Sequence, residues 1–541
     1  MKNSIILTSD RASFTDFSRS TALGYVACMP RRLVPRQLMN WLFTPELPHD
    51  GNEAIFAPYA LRKVEAALIY AGFKDVMVVP PSLLEHVVNS NTKVLGISVH
   101  DPFGLSPVST KLTILFGGGP SWTSQFFDEL SLKIRNLKKK HGFKVLAGGP
   151  GAWQFDFQRP DWIDVVFKGE VEVDLPEVVR SMLENHSLPT QVFGRNPRVD
   201  QIPSIVKPSR MGEVQITRGC PRGCQFCSIT PETFRTIPWE QIRKEIEINL
   251  ASGERNVDLI TDDLMLYGSK RLTPNHDAIV SLFRNVKALG AEQIYFSHIS
   301  APPIRQSPET IEEIANIAEY DRYGAETPVI GLENGSERII SKYMRGKVFP
   351  YLPEDWGDVI TDSAATLTDN HIHPCYTMTI GYDDETEDDV RKSIQVVERI
   401  INSGLKVWIF PLPVIPISTS RLRNKNHFPE RDLLPGNFWE LLYICWKHDL
   451  AVTRQLMPGL NARLNSHVLS RIVNSMTDGI FSSIEGIFYE MMSTRGKSTE
   501  SFSNIDISGI TGIVRSVIWL SMGLIGRRRH SVHSPTGSHA V

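Results

Sequence analysis

Short runs of branched apolar residues, each followed by a segment of helical periodicity, recur along most of this chain, and that rhythm leaves few folds open. In the first 200 residues, "YALRKVEAALIYAGF" (59–73) has helical spacing and is followed by the β-branched run "DVMVVPP" (75–81). "SLLEHVV" reads as a short helix, and "KVLGISV" (93–99), "FKVLAGGPGAW" (143–153) and "DVVFKGE" (164–170) as further strands. Continuous apolar runs separated by helices indicate parallel strands covered on both faces. Ligand loops in such sheets follow the carboxyl ends of the strands. Here those loops are "HDPFG" (100–104), "GGPG" (148–151) and "GEVE" (169–172). The Gly/Ser/Pro-rich stretch from Leu105 to Gln125 is expected to be a long functional loop.

A polar, proline-containing stretch, "RNPRVDQIPSIVKPSR" (195–210), marks the first boundary. The β/α rhythm then restarts, with strands expected at 213–218, 256–261, 292–298, 327–332, 374–380 and 406–412. Thr273-Pro274 and Ser307-Pro308 set a capping side chain before a first-turn proline and mark helix starts. Six such units suit a partial barrel better than a closed eight-fold one. Beyond about residue 430 the pattern is helical. The expected fold is therefore α/β: a Rossmann-like domain over 1–200, a partial (β/α)6 barrel over 206–425 and a helical C-terminal region over 430–505. A chain of 541 residues is long enough for such a division.

At the end of the first barrel strand stands "ITRGCPRGCQFCSIT" (216–230), which holds three of the six cysteines, Cys220, Cys224 and Cys227, in C-x3-C-x2-C spacing. So few cysteines, half of them clustered, do not make a disulfide framework, and they fit a metal or redox site in a reducing compartment. A closed zinc site needs four ligands, commonly two separated pairs. Cys28, Cys375 and Cys445 are isolated in sequence, and nothing in the spacing selects His298 or His371 as a fourth ligand. Three thiolates on a four-iron cluster would instead leave one iron open. Zinc, an iron–sulfur cluster and simple packing all stay open on spacing alone. Lysine and arginine number 58 against 60 acidic residues, so the chain lacks the basic footprint of a nucleic-acid binder. Its N-terminus lacks signal-peptide features, which predicts an intracellular protein.

With Phe226 before the last cysteine, the loop resembles that of the radical S-adenosylmethionine (SAM) superfamily. "ITDDLML" (260–266), with Asp262, is similar to the acidic end of that family's second strand. "GLENGSE" (331–337) resembles its G-x-E-S-G-S stretch, with Asn334 replacing a serine. "TIGYDDETEDDV" (379–390) resembles its fifth-strand motif, from which Tyr382 and Asp383 depart, and "PLPVIPISTSRL" (411–422) stands where P-G-T-x-L is expected. The resemblance implies a [4Fe-4S] cluster on Cys220, Cys224 and Cys227, and S-adenosylmethionine on the open iron. Phe226, Asp262, Glu333, Gly335 and Ser336 are the implied cofactor contacts, Glu333 as a partner of the ribose or amino group. An external electron donor of ferredoxin or flavodoxin type is implied too.

The first domain, through "VLAGGPGAW" and "DVVFKGEVEVDLPEVV", resembles the cobalamin-binding domain of the B12-dependent members of that superfamily. That resemblance implies cobalamin near His100, Gly104, Gly148, Gly149, Gly169 and Glu170, although the chain lacks a D-x-H-x-x-G signature. Near the other end, "ISGITGIVRSVIWLSMGLIGRRRH" (507–530) is apolar and closes on three arginines. It is expected to be an amphipathic helix (506–530) lying on the cytoplasmic face of a membrane, followed by a disordered tail over 531–541. These features, with loop similarity to archaeal tetraether-lipid ring synthases, give the leading expectation: hydrogen abstraction and carbon–carbon bond formation in a lipid substrate. A cobalamin-dependent radical methyltransferase is the first rival, and a non-catalytic sensor the second.

Overall fold

The computed structural model describes residues 4–496 apart from 117, 230–232, 324–326, 418, 424–435, 462–481 and 483–484. Part of the expected helical region over 430–505, the expected helix at 506–530 and the tail lie outside the described residues.

The first domain is a six-stranded parallel sheet of β1 (Ile5–Ser9), β2 (Val76–Val78), β3 (Val94–Ser98), β4 (Lys144–Gly148), β5 (Val165–Lys168) and β6 (Gln191–Phe193), in the order 2-1-3-4-5-6. Helices cover both faces, among them α1 (Tyr59–Tyr70), α2 (Pro107–Leu115), α3 (Trp122–His141) and α4 (Leu175–Leu183). One apolar cluster around Ile6, Leu95, Ile97 and Val145 packs one face, and another around Ile5, Leu7, Leu146 and Phe167 packs the other. The order reverses between β1 and β3, which places a ligand crevice at their carboxyl ends.

Two expectations need correction. The sequence reading does not anticipate β1, which lies between β2 and β3, one strand in from the edge of the sheet. The stretch 105–125 is not one long loop. Ser106 caps α2 by accepting from Ser109 N ahead of Pro107, and Ser121 caps α3 in the same way. Its glycines and serines hide two helix starts behind a loop-like composition.

The barrel strands fall within a few residues of expectation: β7 (Glu213–Gln215), β8 (Asn256–Ile260), β9 (Gln293–Phe296), β10 (Val329–Glu333), β11 (Cys375–Ile380) and β12 (Trp408–Pro413). They form two parallel three-stranded sheets, β7-β8-β9 and β10-β11-β12, joined by a bridge between His298 and Val329. Between the strands run α5 (Trp239–Ala251), α6 (His276–Ala288), α7 (Pro308–Ala318), α8 (Trp356–Asp369) and α9 (Glu387–Asn402). α9 opens on a capping box, with Thr386 N donating to Asp389 Oδ2 at 2.9 Å. Ile330, Leu332, Tyr376, Met378 and Ile409 point outward into one core with these helices. Their alternating neighbours Gly331, Cys375, Thr377, Phe410 and Leu412 are only part-buried and line the lumen. Unlike a filled eight-stranded barrel, this one keeps room inside.

α10 (Phe438–Asn461) packs along β12, and Leu442 and Cys445 join Phe488 and Met491 in the barrel core. The first domain docks through α1: Tyr59 Oη donates to Glu245 at 2.7 Å, and Lys63 pairs with the same carboxylate at 3.1 Å. α2 reaches further and sinks Leu112, Leu115 and Phe116 into the barrel core. No described helix is long and apolar enough to cross a membrane.

Candidate active site at the carboxyl ends of the barrel strands

The cysteine loop follows β7 and a short ribbon in which Thr217–Arg218 pairs with Arg235–Thr236. It is fixed from outside. Gln225 N donates to Tyr343 O at 2.9 Å, Arg222 Nη1 to Lys347 O at 3.2 Å, and Leu422 N to Gln225 O at 3.2 Å. Arg222 also forms a buried ion pair with Asp263 at 3.0 Å, and Asp263 accepts from Met265 N and Ser300 N. A Cβ on Gly346 would lie 2.0 Å from Arg222 O, so only glycine lets the Arg345–Val348 turn press against the loop. Phe226 meets Tyr382 edge-on at 6.5 Å, and Tyr382 stacks on Tyr343 at 4.4 Å.

The three thiols face one another and a shared group of charges. Burial pushes Cys220 up to about 11 and Cys224 to about 12, while Lys347 works against that rise at both. Burial also raises Cys227, which senses Glu333 and Asp262. Thiols in such a place give up their protons on binding metal. Among the described residues no three histidine, cysteine or carboxylate side chains converge tightly enough for a single metal ion. A cluster sets its thiolates wider apart than one ion does, and three thiolates alone suit a four-iron cube with an open corner. The residues fit that group.

Glu333 ends β10 at φ +65°, where the β10–β11 register slips, so a bulge turns its carboxylate over the strand end. It accepts from Lys347 Nζ at 2.6 Å, with Glu333 buried and Lys347 largely so. Burial opposes the ammonium, but Glu333 and Cys224 outweigh it and hold Lys347 above its ordinary range. A Cβ on Gly331 would strike Glu333 Oε1 at 1.9 Å and Lys347 Nζ at 2.2 Å, so the pair in this placement lies directly over the bare Cα of a glycine. Sequence reasoning found Glu333 and missed Lys347, which stands outside every motif. Burial pushes Asp262 up to about 6, partly against a hydrogen bond from Gly219 N. The site thus combines three thiols, a charge-paired carboxylate and an acid on the carboxyl ends of β7, β8 and β10.

Other expected contacts are occupied within the protein. A Cβ on Gly335 would lie 2.6 Å from Ser393 Cα, so this glycine admits the α9 backbone. Ser336 Oγ donates to Asp389 at 2.5 Å. In the first domain, Cβ atoms on Gly104, Gly149 and Gly169 would meet Ser121 Oγ, Val99 O and Gly194 O at 2.7–2.9 Å, and one on Gly148 would press on Phe167 O at 3.2 Å. Glu170 is the hub of a buried network, accepting from Arg218 and, at 3.0 Å, from Arg235. It ties the first domain to the ribbon beside Cys220. Still, His100, Gly149, Pro150 and Gly169 form an exposed rim at the carboxyl ends of β3, β4 and β5. His100 keeps open surface on this rim, but the protein packed around its ring withdraws it from bulk water and lowers it below its ordinary value. A separate cavity of about 370 Å³ lies at the opposite, amino ends of β7 and β8. There Arg19 and Glu254 pair at 2.6 Å, and the cysteines are far away along the strands.

These geometries agree with the comparisons. Residues 214–397 match the radical SAM superfamily model, and this stretch of the chain is a radical SAM domain. The particular relatives are more distant. The chain is 25% identical over 311 residues to a tRNA-2-methylthio-N(6)-dimethylallyladenosine synthase of Corynebacterium jeikeium, covering 52% of this chain and 56% of that protein. It is 24% identical over 285 residues to the ribosomal protein uS12 methylthiotransferase RimO of Thermotoga maritima, covering 51% and 61%. The chain thus spans about half the length of the curated relatives it matches. Among solved structures, it is similar to the radical SAM methyltransferase TsrM of Kitasatospora setae, with TM-score 0.52, 15% identity and coverage of 78% and 77%. That structure contains cobalamin and a [4Fe-4S] cluster, and its likeness extends over both α/β parts of the fold. The matched stretch holds the three-cysteine loop, Asp262 and Glu333, the residues that would carry a [4Fe-4S] cluster and S-adenosylmethionine in a domain of this kind. The expected lipid ring closure has no counterpart among these relatives.

Proposed function

We propose that this chain is a cobalamin-dependent radical SAM methyltransferase that places a methyl group on a carbon of its substrate. The observation that carries this reading is the junction of the two domains. The loop after β5 is bound through Glu170 to Arg218, two residues from Cys220. A group resting on the rim of His100, Gly149 and Gly169 would therefore lie beside the cysteine loop. The rim is open and largely backbone, which suits a broad flat ligand such as a corrin. The methyltransferase and methylthiotransferase relatives support it further.

When bound, these cofactors supply a one-electron cleavage of the sulfonium and a transferable methyl group. The protein's own residues orient and exclude. Cys220, Cys224 and Cys227 would hold the cluster. Glu333, fixed by Lys347, presents one carboxylate oxygen to the cation-bearing end of SAM. The Arg222–Asp263 pair and Tyr343 keep the loop from moving. The part-open lumen below receives the substrate, and an external one-electron carrier supplies reducing equivalents.

The reading is tested with cluster-reconstituted protein, cobalamin, reductant and S-adenosylmethionine labelled in its methyl group. Label recovered on cobalamin is expected. Protein that retains no cobalamin and transfers no label, while still forming 5′-deoxyadenosine, overturns it.

A further inference from the structure

A second lysine enters the barrel lumen from the first domain. Lys111, on α2, is 2% exposed, and its Nζ has no hydrogen-bond partner among the described residues. It stands 3.2 Å above the centre of the Phe410 ring and 5.6 Å from that of Trp446. Trp446 Nε1 is buried and likewise without a partner among the described residues. Two enclosed donors thus lie side by side, and buried donors are seldom left unmet. Phe410 and Trp446 are themselves in contact, with ring centres 6.5 Å apart, and Trp446 stacks on Phe488 at 4.7 Å. Tyr25 continues this wall, 6.4 Å from Phe410, and is 46% exposed although burial pushes its hydroxyl up to about 12. Tyr25 thus keeps part of its ring open beside the Phe410 and Lys111 contact.

The groups facing Lys111 are Asp449 and Cys445 from α10 and Cys375 from β11. Burial lowers the lysine to about 7, raises Cys375 to about 12 and raises Asp449 well above the carboxylate range. Asp449 is already engaged by Ile409 N at 2.8 Å. Strand register fixes where these groups lie. Gly331, Thr377 and Phe410 are paired across β10, β11 and β12 and form one rung of the lumen wall. Glu333 and Lys347 sit over Gly331. Two strand spacings separate that end of the rung from Phe410, about 10 Å. This gap suits a small molecule lying between them.

We propose that Lys111 Nζ and Trp446 Nε1 anchor the carboxylate of the substrate, an organic acid whose flat apolar body lies against Tyr25, Phe410 and Trp446. The assignment rests on the methyltransferase reading only in taking the far end of the rung as the reacting end. One cation with one neutral donor matches a singly charged, two-oxygen group, whereas a phosphate dianion calls for more positive charge. The acid displaces the part-exposed Phe410 ring from the ammonium face and replaces a weaker cation–π contact with a charge-assisted hydrogen bond.

The test is isothermal titration of the full-length, cluster-reconstituted protein with indole-3-acetate and with its neutral analogue indole-3-acetamide. The acid is expected to bind at least tenfold more tightly than the amide. Lys111→Met and Trp446→Phe are each expected to reduce acid binding to the level of the amide, and Lys111→Met to raise the thermal midpoint. Equal affinity for acid and amide, no binding of the acid by the unaltered protein, undiminished binding by Lys111→Met, or a lowered midpoint in that variant overturns the proposal. Label transfer to cobalamin needs no substrate, so its outcome separates a wrong anchor from a wrong reaction.

Discussion

Two buried lysines in one lumen have opposite fates. Lys347 meets Glu333 at 2.6 Å and is held in its charged form above the ordinary range. Lys111 meets aromatic faces and no acceptor among the described residues, and burial brings it down to about 7. The protein satisfies its own charge where the cysteine loop and cofactors must be held rigidly. Across the same rung it leaves donors unmet. The first arrangement is a preorganised scaffold, and the second is a site whose chemistry is completed from outside the chain.

Substitutions at the two ends are expected to separate in size and in sign. Cys224→Ala should have the largest effect, abolishing both the visible absorbance of the cluster and the formation of 5′-deoxyadenosine. Next, Glu333→Gln leaves Lys347 as an uncompensated buried charge, which costs about 3 kcal/mol in denaturant unfolding. Glu170→Gln leaves Arg235 without a carboxylate partner, while Arg218 keeps Glu172 at 2.9 Å, and should loosen the domain junction, with a loss of about 3 kcal/mol and faster proteolysis between 195 and 210. Gly335→Ala drives a methyl group into the α9 backbone and should cost roughly 2 kcal/mol. Lys111→Met should have the opposite sign, stabilising the fold by about 2 kcal/mol at neutral pH.

That last gain depends on pH. The folded-state value of Lys111, about 7, lies below its value of 10.5 in the unfolded chain. The unfolded chain therefore binds more protons between the two, and the stability of the unaltered protein rises with pH across that window. The penalty is complete below about pH 7 and gone above about 10.5. The advantage of Lys111→Met should shrink accordingly in unfolding titrations between pH 7 and 10.

The barrel was legible because its strands are continuous apolar runs, and the cysteine loop because its spacing is local. Glu333 was legible through the glycines around it, although Gly335 admits α9 instead of a ligand. β1 carries a weak local signal because "SIILTSD" (4–10) is short and polar at both flanks, yet its run of branched residues is that of a buried strand. Ser106-Pro107 is the same helix signal that was read correctly at Ser307-Pro308, masked by glycines downstream. Lys347, Lys111 and the grouping of Cys375 with Cys445 around Lys111 had no local signal. They come together only when α2, β11, β12 and α10 pack, and no spacing within one segment records that.

The division of the lumen is open to direct test by electron paramagnetic resonance of the reduced cluster, recorded with and without S-adenosylmethionine. Addition of S-adenosylmethionine should shift the cluster signal in the unaltered protein and equally in Lys111→Met, and the shift should be weakened in Glu333→Gln. A shift lost in Lys111→Met and kept in Glu333→Gln would contradict the assignment of the cofactor to one end of the rung and the substrate to the other.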